Sequence, residues 1–304
     1  MKRYLVFFSV HSLLCKDLVV LSLPRSGTGY FQKIVSLSTK WDYQDYRDVW
    51  TLKKENQRVC GEIFGYWFKF FEYESKNIFD TPVKKDFDDI YYNKWKKIGR
   101  LKFTKEIAFF LYVPFFEKYF NVISLLRDRK HTFPTTLQWV FLALYSNFVN
   151  CRNGDKKIAL LQKYCLKEKR TLLQQQIFAH IISSYLLLRD IEKFQLPILK
   201  WDKLMRLSGE NLKKYLEKSL PKEYDASLFA YNIEQTRINR LGYILTLGKW
   251  FPIKYYFNYW VYGKDLLDVR EERYKALNVE QDCQKLIDYI QEIDPEFTYI
   301  KYLR

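Results

Sequence analysis

The sequence predicts an α/β fold, a parallel β-sheet flanked by helices, and three observations lead to it. The first is the run Asp17-Leu18-Val19-Val20-Leu21-Ser22-Leu23, continuously apolar with β-branched residues and ending at Pro24. Such a run reads as a strand buried on both faces. From Thr28 onward the period changes, and Tyr30, Phe31, Ile34, Val35 and Leu37 fall on one helical face. The second is the same change of period at Phe120 to Leu126, which ends in Arg127-Asp128 and passes to a helical pattern from about Phe133 through Asn147. The third is the short run Pro197 to Trp201, which leaves a long helix predicted over about 171 to 193 and precedes a polar one. Strands alternating with helices imply a parallel sheet. Right-handed crossovers bring the strands' carboxyl ends to one edge, where open α/β sheets bind their ligands.

The other elements carry less pattern. Leu101-Lys102-Phe103 predicts a further short strand, and residues 209 to 220 and 280 to 293 predict amphipathic helices. The stretch from Gly242 to Tyr262 is rich in aromatics without a single period and reads as a lid or an acceptor-facing layer. There is no internal repeat, and only 10 Gly and 8 Pro punctuate the chain, so it reads as a single domain over 1–304.

Composition narrows the class. At 304 residues, 48% apolar and 28% charged, the chain carries enough apolar side chain for a large core, which excludes disorder. The net charge of +16 draws anions without choosing among nucleotides, acidic glycans, nucleic acid and membrane phosphates. The five cysteines, at 15, 60, 151, 165 and 283, are odd in number and share no CxxC spacing. That argues against a zinc site or a dense disulfide framework, leaves Cys151 with Cys165 as a pair, and otherwise reads as reduced thiols. Lys2-Arg3 before the apolar run Tyr4 to Cys15 imitates a secretory signal, but the run is too short to span a bilayer and no small-x-small site follows. It reads as a folded extension over 1–16 of a cytoplasmic protein, with the secretory pathway as the alternative if the run acts as a signal. No other stretch is long and uncharged enough to cross a membrane, while contact with a membrane surface stays open.

The chemistry lies in Pro24-Arg25-Ser26-Gly27-Thr28-Gly29, between the first strand and its helix. A loop there turns backbone N–H groups inward at the positive end of a helix, which makes an anion cradle. Gly27 permits close approach of the backbone. Ser26 and Thr28 offer hydroxyl donors, and Arg25 offers a permanent charge on a planar donor fork suited to phosphate or sulfate. The Gly-Lys step of the nucleoside-triphosphate loop is missing, which disfavours a Mg²⁺-dependent NTPase.

These residues resemble the PAPS-dependent sulfotransferases, whose members carry a strand followed by Pro, Lys or Arg, Ser or Thr, Gly, and Ser or Thr around the 5′-phosphosulfate. The arginine form is similar to the Golgi, tyrosylprotein and NodH-like branches rather than the cytosolic one. The family's second motif, for the 3′-phosphate, is a strand ending in Arg with a hydroxyl residue eight positions later. Here Asn121 to Leu126 leads to Arg127, and Thr135 stands eight residues on. Arg129 replaces the usual Pro, and Pro134 precedes Thr135. Pro197 to Leu204 is similar to a further family strand, and Arg237 to Gly242 with Gly248-Lys249-Trp250 is faintly similar to a nucleotide-covering loop. The resemblance covers 17–205, a nucleotide-binding core, and leaves 206–304 as a helical, aromatic C-terminal layer or lid.

The resemblance implies that PAPS binds through Pro24, Arg25, Ser26, Gly27, Thr28, Gly29, Arg127 and Thr135, leaving as PAP, without a metal. Sulfuryl transfer needs the acceptor proton removed and the charge on the leaving phosphate stabilised. Arg25 suits the second task. For the first, Glu62 in Cys60-Gly61-Glu62-Ile63-Phe64 is similar to the base of the NodH-like and tyrosylprotein branches, with Glu106 and His131 as rivals. His11 and His180 read as packed or surface residues, and Lys102 or Lys105 as further charge beside the sulfate. The acceptor bears a hydroxyl, a glycan being favoured, and nucleic acid is disfavoured as a partner. Two other classes stay in view: an ATP-dependent P-loop phosphotransferase, and an anion or nucleic-acid binder without catalysis on a degenerate scaffold.

Overall fold

A computed structural model describes residues 18–23, 26–39, 77, 79–80, 103–106, 111–133, 139–222, 224–246 and 266–304. Among these residues the sheet has four strands, β1 (Leu18–Leu21), β2 (Phe103–Glu106), β3 (Asn121–Leu126) and β4 (Ile198–Lys200), in the order β2-β1-β3-β4 and all parallel. Every residue of β1 is fully buried, as its uninterrupted apolar run requires. β1 pairs with β2 on one side (Leu21 opposite Glu106) and with β3 on the other (Leu21 opposite Ser124).

The helices follow local signals. α1 (Thr28–Thr39) leaves β1 and buries Phe31, Ile34 and Val35. α2 (Val113–Tyr119) precedes β3 with proline in its first turn, where the missing N–H costs nothing. α3 (Arg129–Thr132) is a single turn capped by the Asp128 carboxylate, and α4 (Trp139–Val149) follows. α5 (Lys156–Leu166) starts on Asp155, whose side chain accepts from the amides of Lys157 and Ile158. α6 (Leu172–Lys193) opens on a capping box in which Thr171 and Gln174 satisfy each other's amides. α7 (Trp201–Arg206), α8 (Gly209–Ser219), α9 (Ala226–Thr246), α10 (Leu266–Lys275) and α11 (Glu280–Ile293) complete the chain with a 3-10 turn over Thr298–Tyr302.

α6 packs on α2, α4 and α11, and α9 packs on α1 and α8, so elements beyond 205 share one core with the strands. The short strand expected at 101–103 runs instead over Phe103–Glu106, because pairing with β1 rather than local pattern fixes its register. Trp201, expected to end the last strand, begins α7. Arg237 to Gly242, likened above to a covering loop, is helical within α9. There Arg237 donates to the Leu204 and Leu207 carbonyls and so closes the end of α7. Gly248-Lys249-Trp250 lies outside the described residues, as do the N-terminal run, Cys15 and Cys60. Cys151, Cys165 and Cys283 are buried free thiols, so the pair left open between Cys151 and Cys165 is not formed. Among the described residues no helix is long and apolar enough to cross a membrane.

One ionic cluster ties the C-terminal helix to the rest. The buried Asp294 accepts from Tyr185 Oη (2.6 Å) and from Lys157 Nζ, with Arg189 Nε at 3.7 Å. Arg189 also reaches Asp155 at 3.0 Å. Its neighbour Asp190 lines a cavity with Tyr112, Asn153 and Asp155, where burial pushes its carboxyl up to about 6 against the pull of Arg189 and Lys193. The folded state therefore holds this proton more tightly than the unfolded chain does. Its contribution is fully present below about pH 4 and is lost as pH rises through 6. Asp190→Asn is expected to stabilise the fold by about 1–3 kcal/mol at pH 8 and to leave stability near pH 4 unchanged, as read by urea denaturation at the two pH values.

Candidate functional site

Everything at the site follows from the position of β1 between β2 and β3. The chain moves from β1 to β2 in one direction and then crosses back over β1 to β3. That reversal opens a crevice at the carboxyl end of β1, where open α/β sheets bind ligands. With Leu21 opposite Ser124, the segment leaving β1 and the segment leaving β3 lie side by side.

The first segment turns at once. Ser26 N–H donates to the Leu23 carbonyl at 3.3 Å, and the amides of Tyr30 and Phe31 both donate to the Gly27 carbonyl at 3.1 Å. Gly27 has φ of +83°, a backbone state that side chains disfavour. Its α-carbon also lies against the Trp201 ring, so that a β-carbon would stand 2.6 Å from Trp201 Cε3. Thr28 and Gly29 form the first turn of α1, and Ser26 is buried.

Trp201 is the residue that sequence reasoning missed. It packs edge-on against Tyr30 (5.0 Å between ring centroids, 88°), while the Arg127 guanidinium lies 5.8 Å from its own ring centroid. One indole thus touches the glycine turn, the first turn of α1 and the arginine that ends β3. The only available signal was its place immediately after a short apolar strand at the same sheet edge, and an aromatic there also reads as core.

A cleft of about 40 Å³ opens between these segments, walled by Leu23, Ser26, Arg127, Asp128, Ser184 and Lys200 among others. Arg127 and Lys200 supply positive charge. Asp128 is engaged in capping α3 through the Lys130 amide, and Asp202 adds a second carboxylate to the wall. His180 also borders the cleft, between Phe133 and Phe141, and burial together with the charge of Arg129 lowers its pKa to about 3. It is a neutral packed histidine. The arrangement is suited to holding a small oxyanion between a buried serine, the backbone of a tight turn and an arginine.

Of the residues singled out from sequence, Ser26, Gly27, Thr28, Gly29 and Arg127 meet at this edge. Pro24, Arg25, Glu62, Lys102 and Thr135 lie outside the described residues. Glu106 and Lys105 are the last two residues of β2, beside Leu21 and Val20. His131 does not border the cleft: its buried ring meets Glu271 through Nε2 at 3.1 Å, and its carbonyl accepts from Arg270. Arg129 is structural. Its buried guanidinium donates to Tyr274 Oη (3.0 Å), Glu280 and the Leu303 carbonyl, which fastens the C-terminus to α3. Among the described residues no group of His, Cys, Asp and Glu is placed to hold a metal ion.

No protein-family model matches the chain, and no curated protein matches it.

Proposed function

We propose that the chain is a PAPS-dependent sulfotransferase of three-layer α/β/α fold. The observation that supports this reading is the pairing of Leu21 with Ser124 at the strand-order reversal, with Ser26 and Arg127 bordering one cleft. In this reading the turn at Ser26 and Gly27, with Arg25, cradles the 5′-phosphosulfate. Arg127 and Thr135 hold the 3′-phosphate. An acceptor hydroxyl oxygen attacks sulfur in line as the bond from sulfur to the phosphate oxygen breaks. The hydroxyl proton passes to a carboxylate and PAP departs. Glu62 is the base carried by the resemblance. Glu106 has an observation of its own in favour, since it ends the strand beside Leu21 at the same edge.

The test is calorimetric titration with PAP. Arg25→Ala and Arg127→Ala are each expected to weaken PAP binding by about 10²-fold, the worth of a charge-assisted phosphate contact. Failure of the unaltered protein to bind PAP at millimolar ligand would overturn the reading. Glu62→Gln is expected to abolish turnover with PAP affinity kept. If Glu106→Gln does so instead, the base is Glu106.

A second reading, an anion binder without catalysis, is favoured by the small volume of the cleft, about 40 Å³, which suits an oxyanion better than a nucleotide. It requires inorganic sulfate to bind as well as PAP does.

A further inference from the structure

Among the described residues β4 is an end strand of the sheet, and its outer edge pairs with no other strand. Tyr215 closes part of that edge, its Oη accepting the Lys200 N–H at 2.6 Å. Alongside lies a groove of about 320 Å³, whose walls include Lys200, Lys203, Lys218, Tyr215, Tyr299 and Tyr302. This is the size range of small-ligand sites.

The groove has one sign of charge. No carboxylate lines it, and among the described residues none of its three lysines forms an ion pair. Glu217, the nearest acid in sequence to Lys218, reaches toward Lys213 instead. Two of the ammonium groups lie over tyrosine rings, Lys200 at 4.8 Å from the Tyr302 centroid and Lys203 at 5.1 Å from that of Tyr215. Three lysines lining one groove favour an anion carrying more than one charge. The aromatic walls add a requirement for apolar ring faces.

Ring geometry decides what kind of ring. Tyr299 and Tyr302 meet at 61° with centroids 5.3 Å apart, so they form an angled corner rather than a slot of parallel faces. A flat nucleobase gains most from parallel stacking. A puckered ring with axial C–H groups and outward hydroxyls fits a corner of two phenols.

We propose that this groove binds an acidic saccharide, carboxylated or sulfated, with its anionic groups on Lys200, Lys203 and Lys218 and a sugar ring against Tyr299 and Tyr302. The groove shares Lys200 and Tyr302 with the cleft at the end of β1. With the sulfuryl transfer proposed above, and resting on it, the bound saccharide is the acceptor.

The experiment titrates the full chain with a sulfated and carboxylated hexasaccharide, a neutral maltohexaose and a hexameric oligo(dT), and separately with PAP. Saturable binding of the acidic hexasaccharide is expected, weakening with added salt, with none for maltohexaose. Lys203→Ala/Lys218→Ala is expected to weaken it at least about tenfold with PAP affinity and melting temperature unchanged, both side chains being exposed. Three outcomes overturn the proposal: no saturation by about 1 mM hexasaccharide, the same affinity in the double variant, or tighter binding of oligo(dT) with the same sensitivity to the variant. Hexasaccharide binding without PAP binding upholds the groove and removes the sulfotransferase reading; PAP binding without hexasaccharide binding does the reverse.

Discussion

Gly27→Ala is expected to lower stability by about 2–4 kcal/mol and to weaken PAP binding at least about tenfold. Two costs add. The backbone at φ of +83° disfavours any β-carbon, and the added carbon would meet Trp201 Cε3 at 2.6 Å and Cζ3 at 2.7 Å. The indole has little room to yield, since Tyr30 packs edge-on against it and Arg127 lies 5.8 Å from its ring. The overlap is relieved only by moving the turn that carries Ser26 or the arginine that ends β3, and both border the cleft. Gly154→Ala is the control. A β-carbon there has nothing within 4 Å, so a change within about 0.5 kcal/mol is expected. Urea denaturation of the two variants, with PAP titration of each, checks both halves.

Asp294→Ala is expected to cost about 3–5 kcal/mol, the penalty for removing one partner from a buried ionic cluster. Asp294 is 3% exposed. Without it the Tyr185 hydroxyl and the Lys157 ammonium lose their acceptor, and Arg189 keeps only Asp155. Burial first, and then Asp294, push the Tyr185 phenol well above its ordinary range, so it stays a donor at every working pH. Tyr185→Phe should therefore cost less, about 1.5–3 kcal/mol, because it removes a single bond to the carboxylate. Equal losses in the two variants would show that the tyrosine, not the cluster, fastens α11 to α5 and α6. Because the site lies at the opposite side of α6 from this cluster's cavity lining, PAP affinity per folded molecule is expected to be unchanged in both.

The parts of the fold legible in the sequence were those with local causes. The fully buried run of β1 and the switch to helical spacing after Thr28 place the first strand and helix within a few residues. The long helix predicted over about 171 to 193 is α6, whose start Thr171 and Gln174 cap, whereas α5, which starts on Asp155, was not predicted. β2 was displaced in the sequence reading, since Phe103–Glu106 has no alternation of its own and owes its register to β1. The candidate site was legible to a similar extent. A strand that ends in a glycine turn and another that ends in an arginine are local patterns, and parallel α/β topology brings such ends to one edge.

By itself the sequence determined where the first strand and its helix lie and that a glycine turn joins them, because hydrophobic period and glycine act over a single turn of chain. Only the tertiary structure decided which residues share the site. It made Trp201 the contact between the glycine turn and Arg127, bound Arg129, at the wall of the cleft, and His131 to the C-terminal segments, and set three lysines beside β4. Those choices join residues as far apart as Arg129 and Leu303, 174 positions along the chain, whose meeting depends on how whole helices pack and leaves no mark in the local pattern.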